Sequence, residues 1–235
     1  MGKKRIAWHK RLLQILGICL AIFTLCSVSF AEQLDPRWKW VYSSSHQGWY
    51  FDTQTVEYDK ENQVATYWLL ILDEYGNKRS ATRESISFIN KKLLNVQYVY
   101  HDKYGNLKSV TPQKKSIDSG ISIPPDSTYE KIANEIASIL NIPPLYEGGP
   151  NRWKWLHSND EYGLYIAEDT IVYEPYSGYS VWTQKKYLDG RSPETKYIVN
   201  LSEEVIDGAY PPHHPIPDTD EEYIYNDVKK LIENA

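Results

Sequence analysis

The tetrapeptide Arg-Trp-Lys-Trp occurs twice in the chain, at residues 37–40 and again at residues 152–155. Because tryptophan is a rare residue, two identical tetrapeptides that each contain a pair of tryptophans are improbable by chance. The match continues at the same spacing with Ser43 and Ser158, Gly48 and Gly163, Tyr50 and Tyr165, Thr55 and Thr170, and Tyr58 and Tyr173. The sequence therefore predicts an internal duplication, and any fold of this chain must be able to form twice.

The two copies differ in length in the middle and resemble each other again at their ends. The matching terminal residues are Ile132, Asn134, Ile136, Ile139 and Leu140 in the first copy and Ile224, Asn226, Val228, Leu231 and Ile232 in the second. Each copy has an adequate size for an independent domain, and the segment between them is rich in Pro and Gly, which favours a linker. We predict a first domain at 32–141, a linker at 142–151 and a second domain at 152–235.

Residues 1–31 have the three parts of a secretory signal peptide. Five basic residues precede an almost wholly apolar stretch from Leu12 to Leu25, and a small residue, Ala31, stands before the predicted cleavage point between Ala31 and Glu32. The alternative is an uncleaved anchor, since residues 12–30 are nearly long enough to span a bilayer. With cleavage, we expect an exported protein without a transmembrane segment, in the periplasm, at the cell surface or secreted.

Both cysteines, Cys19 and Cys26, lie in this leader, so we expect the exported part to have no disulfide and no thiolate site. Five of the 26 Lys and Arg residues lie there too, which leaves 21 against 31 Asp and Glu and a net charge of −10. This charge argues against a nucleic-acid partner, because phosphate contacts need concentrated positive charge.

Short runs of β-branched and aromatic residues, separated by turns that contain Gly, predict an antiparallel sheet in each copy. The longest strand is expected at Val64–Leu72 and its equivalent at Tyr179–Leu188, and two hairpins are expected around 68–84 and 95–111. Asp52-Thr-Gln-Thr55 predicts a turn, because Asp and Thr side chains can bond to nearby backbone N–H groups.

Each copy is predicted to end in an amphipathic helix. Capping-box spacing marks the two helix starts, at Ser127-Thr-Tyr-Glu130 and at Thr219-Asp-Glu-Glu222. The apolar stripes comprise Tyr129, Ile132, Ile136, Ile139 and Leu140 in the first helix and Ile224, Val228, Leu231 and Ile232 in the second. The predicted fold class is therefore α+β, with two tandem small domains, each an antiparallel β-sheet with a C-terminal amphipathic helix packed on it.

Three short motifs follow one another in the same order in both copies. They stand at Trp38-Lys-Trp-Val41, Tyr50-Phe-Asp-Thr53 and Tyr67-Trp68 running to Gly76, and again at Trp153-Lys-Trp-Leu156, Tyr165-Ile-Ala167 and Trp182 running to Asp189-Gly190. This order resembles the surface-adhesin E domain of bacterial envelope proteins. The resemblance implies an exported α+β domain that adheres to host or extracellular components and has no catalytic residues. Because Ala167 departs from the pattern, we expect Asp52 to cap a turn rather than to act chemically.

No catalytic, cofactor-binding or metal-binding residues are predicted. The sequence has no Gly-x-Ser-x-Gly elbow, no phosphate-binding glycine loop and no His-Glu-x-x-His run. His213 and His214 are adjacent in a proline-rich segment, where a metal would need further ligands from elsewhere. We expect a solvated loop there.

Aromatic residues are the most unusual part of the composition, with 20 Tyr and 8 Trp, of which only Trp8 lies in the leader. Trp49, Tyr50, Tyr162 and Tyr165 flank a turn in both copies and are the candidate ligand contacts, since aromatic side chains give a large contact area at a small entropy cost. The alternative is that the aromatic residues fill the cores and cross-strand pairs.

The function predicted from these features is that of an exported, non-enzymatic binding protein of adhesin-like type, whose ligand is a protein or a glycan. One alternative is a periplasmic scaffold or envelope-assembly factor that pairs through an exposed strand edge. Another is a hydrolase of envelope polymers, which would need a concave pocket with convergent titratable groups. The first copy has more apolar residues than the second in its central strand, and a homodimer is one arrangement that would cover them.

Overall fold

A computed structural model describes residues 34–235, with the exception of Ser45, Lys103, Gly105, 113–118, Ala209 and Tyr210. The predicted signal peptide and its cleavage point between Ala31 and Glu32 lie outside the described residues. Among the residues that are described, no helix combines the length and the apolar character that crossing a membrane requires.

The first copy forms a sheet in which all pairings are antiparallel. Its strands are β1 (Trp38–Ser44), β2 (Gln47–Asp52), β3 (Glu57–Asp59), β4 (Val64–Asp73), β5 (Lys78–Ser87), β6 (Lys92–His101), β7 (Leu107–Pro112) and β8 (Ile121–Ser122). The strand order is β1-β2-β4-β5-β6-β7, with β3 also paired to β4 and β8 to β6. The β4–β5 and β6–β7 pairs confirm both predicted hairpins.

The second copy forms a smaller antiparallel sheet. Its strands are β9 (Trp153–Ser158), β10 (Tyr162–Glu174), β11 (Gly178–Tyr187), β12 (Glu194–Asn200) and β13 (Val205–Asp207), in the order β13-β12-β11-β10-β9. Together with two helices, the two sheets make the chain mostly antiparallel β, consistent with the predicted α+β class.

The two sheets repeat one strand order when β2 and β3 are compared with the single long strand β10. β2 and β3 pair with opposite ends of β4, and β10 pairs with both ends of β11. Even a β-bulge is shared, because a register shift follows the Trp40–Tyr50 pair in the first copy and the Trp155–Tyr165 pair in the second. The duplication in the sequence thus extends to strand order and register.

Each sheet has its own cluster of buried apolar side chains. The first cluster includes Phe51, Tyr67 and Leu69 from the strands and Ile132, Ala133 and Ile136 from helix α1 (Thr128–Leu140). The second includes Leu164, Ile166 and Val181 from the strands and Ile224, Tyr225 and Val228 from helix α2 (Asp220–Glu233). The apolar stripe predicted for α1 is wrong at Ile139, whose side chain is exposed.

The two predicted capping boxes have different outcomes. At α1 the Ser127 hydroxyl accepts a hydrogen bond from the Glu130 N–H at 3.2 Å, and the Glu130 carboxylate accepts one from the Asp126 N–H. At α2 the prediction for Thr219 is wrong, because its hydroxyl donates to the carbonyl of Ile216 and makes no bond to the helix. The start of α2 thus has only one of the two hydrogen bonds of the motif, in which the Asp218 N–H donates to the Glu222 carboxylate.

The segment at 142–151, predicted to be a linker, packs against the first copy. Leu145 and Tyr146 belong to the first buried cluster, and the Tyr146 hydroxyl donates to the carbonyl of Ile123 at 2.5 Å. A short 3-10 helix, Gly149–Asn151, then leads into β9. Residues Arg37–Ala235 form one compact unit, although they contain two sheets and two buried clusters.

Candidate binding surface

An exposed tryptophan lies on the first strand of each copy. Trp40 in β1 is 56% exposed and Trp155 in β9 is 61% exposed. Each indole N–H donates to the hydroxyl of the serine three residues later, at 2.9 Å for Ser43 and 2.7 Å for Ser158. These hydrogen bonds restrict the orientation of the two indoles and leave their faces open to solvent.

A tyrosine lies opposite each of these tryptophans. Tyr50 in β2 pairs with Trp40, and Tyr165 in β10 pairs with Trp155. Directly paired residues point to the same face of a sheet, and the neighbours Phe51 and Ile166 point into the buried clusters. Each Trp–Tyr pair therefore lies on the outer face of its sheet. We call these pairs the first and second aromatic platforms.

A glycine in each copy permits the tyrosine to lie close to its own strand. A Cβ atom at Gly48 would stand 2.9 Å from Cε2 of Tyr50, and one at Gly163 would stand 3.0 Å from Cε2 of Tyr165. The matching glycines are thus explained by the packing of the matching tyrosines. In the second platform, the Lys186 ammonium also lies 4.5 Å from the centre of the Tyr165 ring.

The structure separates the four predicted ligand contacts onto two faces. Tyr50 and Tyr165 lie on the outer faces, in the platforms. Trp49 lies on the core side, where it meets Tyr129 of α1 edge to face at 6.2 Å. Tyr162 also lies on the core side and packs partly against the second cluster. All four side chains are partly exposed.

A groove with a volume of about 800 Å³ opens in the second copy, beside the start of α2. The groove is lined by Tyr162 and Lys185 from the strands, by His157, by the start of α2 and by residues of the segment that precedes α2, namely Pro211, Pro212, His213 and Ile216. The imidazole of His157 stacks on the ring of Tyr223 with centroids 4.4 Å apart.

Lys185, Asp220 and Tyr162 form a hydrogen-bonded group in this groove. The Lys185 ammonium lies 2.7 Å from Oδ2 of Asp220, and the Tyr162 hydroxyl donates to the same oxygen at 2.7 Å. Burial by itself would lower the pKa of Lys185, but the hydrogen bond and charge of Asp220 outweigh burial and raise it above its ordinary value. Burial, followed by Asp220, raises the pKa of Tyr162. Lys185 therefore stays protonated and is not suited to act as a base or nucleophile.

The adjacent histidines have separate surroundings. Nδ1 of His213 lies 2.8 Å from the carbonyl of Pro211, and Nδ1 of His214 lies 2.8 Å from the carbonyl of Glu204. In the described part of the chain, no group of three or more His, Cys, Asp or Glu side chains is arranged to hold a metal ion. The absence of a metal site stays a prediction from the sequence.

Sequence reasoning did not single out Trp40 and Trp155 as exposed residues, although the repeated tetrapeptide contains both. It also missed the pair Lys185 and Asp220. A difference between the copies could have drawn attention to this pair: the positions equivalent to Lys185 and Asp220 in the first copy are the uncharged residues Ile71 and Thr128.

No protein-family model matches the chain, and a comparison with curated proteins finds no match either.

Proposed function

We propose that this chain is an exported, non-enzymatic binding protein that contacts an extracellular ligand through its two aromatic platforms. The observation that carries the proposal is the repetition of the platform: Trp40 with Tyr50 and Trp155 with Tyr165 occupy the same register, on the same face, beside the same bulge. Core packing does not explain the tryptophans, because more than half of each indole faces solvent.

Several properties of the platforms suit a binding role. Exposed aromatic rings give a large apolar contact area, and tryptophan and tyrosine are enriched among the residues that dominate binding energies. The hydrogen bonds to Ser43 and Ser158 hold the indoles in place before a ligand arrives, which reduces the entropy that binding would otherwise cost. Two platforms on one chain would also increase avidity for a polymer that reaches both.

We further propose that each copy is a small α+β domain with its helix packed on its sheet, and that the chain is related to the surface-adhesin E domains that its motifs resemble. In this proposal the ligand is a host or extracellular protein or glycan, and the chain is displayed at the cell surface. The separate buried cluster in each copy supports the domain assignment.

One observation favours a periplasmic scaffold as the second candidate. β1 and β9 each lie at the edge of their sheet in the strand order, where a partner strand could add. The bulge in both strands weighs against this candidate, because bulges are a common device that prevents edge pairing.

The test is a binding assay with the purified protein on two immobilised probes, a basement-membrane extract and bacterial peptidoglycan. We expect binding to at least one probe, a loss of about tenfold for Trp40→Ala or Trp155→Ala, which corresponds to about 1.4 kcal/mol, and a larger loss for the double variant. Tyr176→Ala is the matched control, because Tyr176 is a fully exposed aromatic residue outside both platforms. Equal binding by the double variant and the wild-type protein would refute the platform proposal.

Protease treatment of intact cells distinguishes the two locations. Digestion of the chain on intact cells agrees with surface display, whereas complete protection favours the periplasmic scaffold. Release of soluble fragments from peptidoglycan by the purified protein would contradict the non-enzymatic proposal and favour the hydrolase.

A further inference from the structure

The groove beside α2 contains a charged pair, Lys185 and Asp220, that the first copy lacks. Lys185 pairs with Leu164 of β10, and the equivalent pair in the first copy is Ile71 with Trp49. Asp220 is the first residue after the N-cap of α2, and the equivalent residue of α1 is Thr128. The first copy thus shows that an apolar residue at the strand position and a neutral one at the helix position are compatible with this architecture.

The attraction between Lys185 and Asp220 is offset in part by the cost of removing both charges from water. The Asp220 side chain is nearly buried and Lys185 is about two-thirds buried. Taking charges out of water is costly, and a buried ion pair often contributes no more stability than the apolar residues that could replace it. Because the first copy has Ile71 and Thr128 at these positions, the architecture itself does not require Lys185 and Asp220.

We propose that this groove is a binding site for a neutral saccharide. The Tyr162 hydroxyl, the Lys185 ammonium and the Asp220 carboxylate meet at one point and offer both donors and acceptors, as the adjacent hydroxyl groups of a sugar require. Pro211, Pro212 and Ile216 supply an apolar wall, against which the C–H face of a sugar ring can lie. A volume of about 800 Å³ lies within the range of small-molecule sites and accommodates one or two sugar rings.

The charges of the groove select against other ligand classes. An anion would meet Asp218 and Glu221 as well as Asp220, and the single ammonium that could attract it is already paired. A cation would compete with Lys185 for Asp220. A neutral ligand with hydroxyl groups avoids both costs.

The groove is separable from the second aromatic platform. His157 and Tyr162 lie on the core side of the β9–β10 hairpin, whereas Trp155 and Tyr165 lie on its outer face. We therefore expect Trp155→Ala to leave the affinity of the groove for saccharides unchanged. This variant separates a failure of the groove inference from a failure of the platform proposal.

The test is NMR titration of the purified protein with maltose, cellobiose and N,N'-diacetylchitobiose, with the imidazole signals as reporters. We expect saturable shifts of the His157 signals with at least one disaccharide. The decisive variant is Lys185→Ile combined with Asp220→Thr, which installs the residues of the first copy and leaves neither charge unpaired. We expect this double variant to keep its melting temperature and to lose at least tenfold in affinity.

The matched control is Ile71→Val with Thr128→Ser in the first copy, which should bind as the wild-type protein does. Three results would overturn the inference: no saturable shift with any of the three disaccharides, unchanged affinity in the Lys185→Ile/Asp220→Thr variant, or tighter binding of glucosamine or glucuronate than of the neutral sugars.

Discussion

Arg152 donates two hydrogen bonds to the carboxylate of Glu130, at 2.8 and 2.6 Å, and so joins the start of the second copy to the helix of the first. Only 2% of the Arg152 side chain and 6% of the Glu130 side chain are exposed. The equivalent residue in the first copy, Arg37, pairs instead with Asp52 of its own sheet. Ala167 occupies the position in the second copy that is equivalent to Asp52. The second copy therefore lacks this carboxylate, and its arginine, Arg152, pairs with the helix of the first copy instead.

Replacement of Arg152 should destabilise the junction strongly. Arg152→Met leaves the nearly buried Glu130 carboxylate without its cation, and breaking a buried pair in this way costs about 3–5 kcal/mol. Asp126 and Asp169, which also lie within 3.3 Å of the guanidinium, lose a partner too. Urea unfolding at neutral pH measures the change in the free energy of unfolding.

The control for this prediction is Arg191→Met, because Arg191 forms an exposed pair with Asp189. Surface pairs contribute little to stability, so we expect an unchanged unfolding midpoint. A midpoint for Arg152→Met that equals that of Arg191→Met would show that the junction does not depend on this ion pair.

A buried carboxyl group should make stability depend on pH. Burial raises the pKa of Glu84 from 4.5 to about 7, and hydrogen bonds from Tyr67 and Tyr129 oppose this rise only in part. Between these two pH values the unfolded chain loses a proton that the folded chain keeps. The contribution of Glu84 is therefore fully present below pH 4.5 and is lost as the pH rises through 7, by roughly 3 kcal/mol in total.

Glu84→Gln tests this dependence, because glutamine has nearly the same shape and does not titrate. Between pH 5 and pH 8 we expect the free energy of unfolding to fall less in the variant than in the wild-type protein. Only the wild-type protein has the Glu84 carboxyl group, and all other titrating groups are the same in both. Chemical unfolding at several pH values provides the measurement, and parallel stability curves for the two proteins would contradict the prediction.

Three tryptophans should differ in their effect on stability. Trp49 packs against the first cluster and the ring of Tyr129, so Trp49→Ala should destabilise by about 2–4 kcal/mol through lost packing. Trp40→Ala and Trp155→Ala remove half-exposed rings and should cost less than about 1 kcal/mol each. Thermal melts of the three variants measure the contrast, and a loss for Trp40→Ala as large as that for Trp49→Ala would assign Trp40 to the core.

Two glycines with positive φ should respond differently to alanine. Gly178 has φ +110°, and a Cβ there would lie 2.4 Å from the carbonyl oxygen of Val199, so Gly178→Ala should cost more than about 2 kcal/mol. Gly190 has φ +88° and open space around it, so Gly190→Ala should cost about 1 kcal/mol from backbone strain alone. Equal melting temperatures for the two variants would show that the close approach to Val199 relaxes at little cost.

Much of the architecture follows from local patterns in the sequence. The hairpins, the strand at Val64–Asp73 and the cap at Ser127 depend on turn chemistry, alternation and side-chain bonds within a few residues, and the sequence predicted each of them. Thr219 shows the limit of such reasoning. The hydroxyls of Ser127 and Thr219 both donate at 2.7 Å to the carbonyl three residues earlier, but only Ser127 also accepts a hydrogen bond from its helix.

The sequence by itself determined that one order of antiparallel strands followed by a helix occurs twice, since a repeated pattern of turns and apolar residues dictates repeated strands and helices. Only the tertiary structure decided which aromatic side chains face solvent, because alternation within β2 places Trp49 and Tyr50 on opposite faces without saying which face a helix covers. It also decided the partners of the charged residues. Arg152 lies 22 residues from Glu130 along the chain and Lys185 lies 35 residues before Asp220, and only packing of the folded chain brings such pairs within hydrogen-bonding distance.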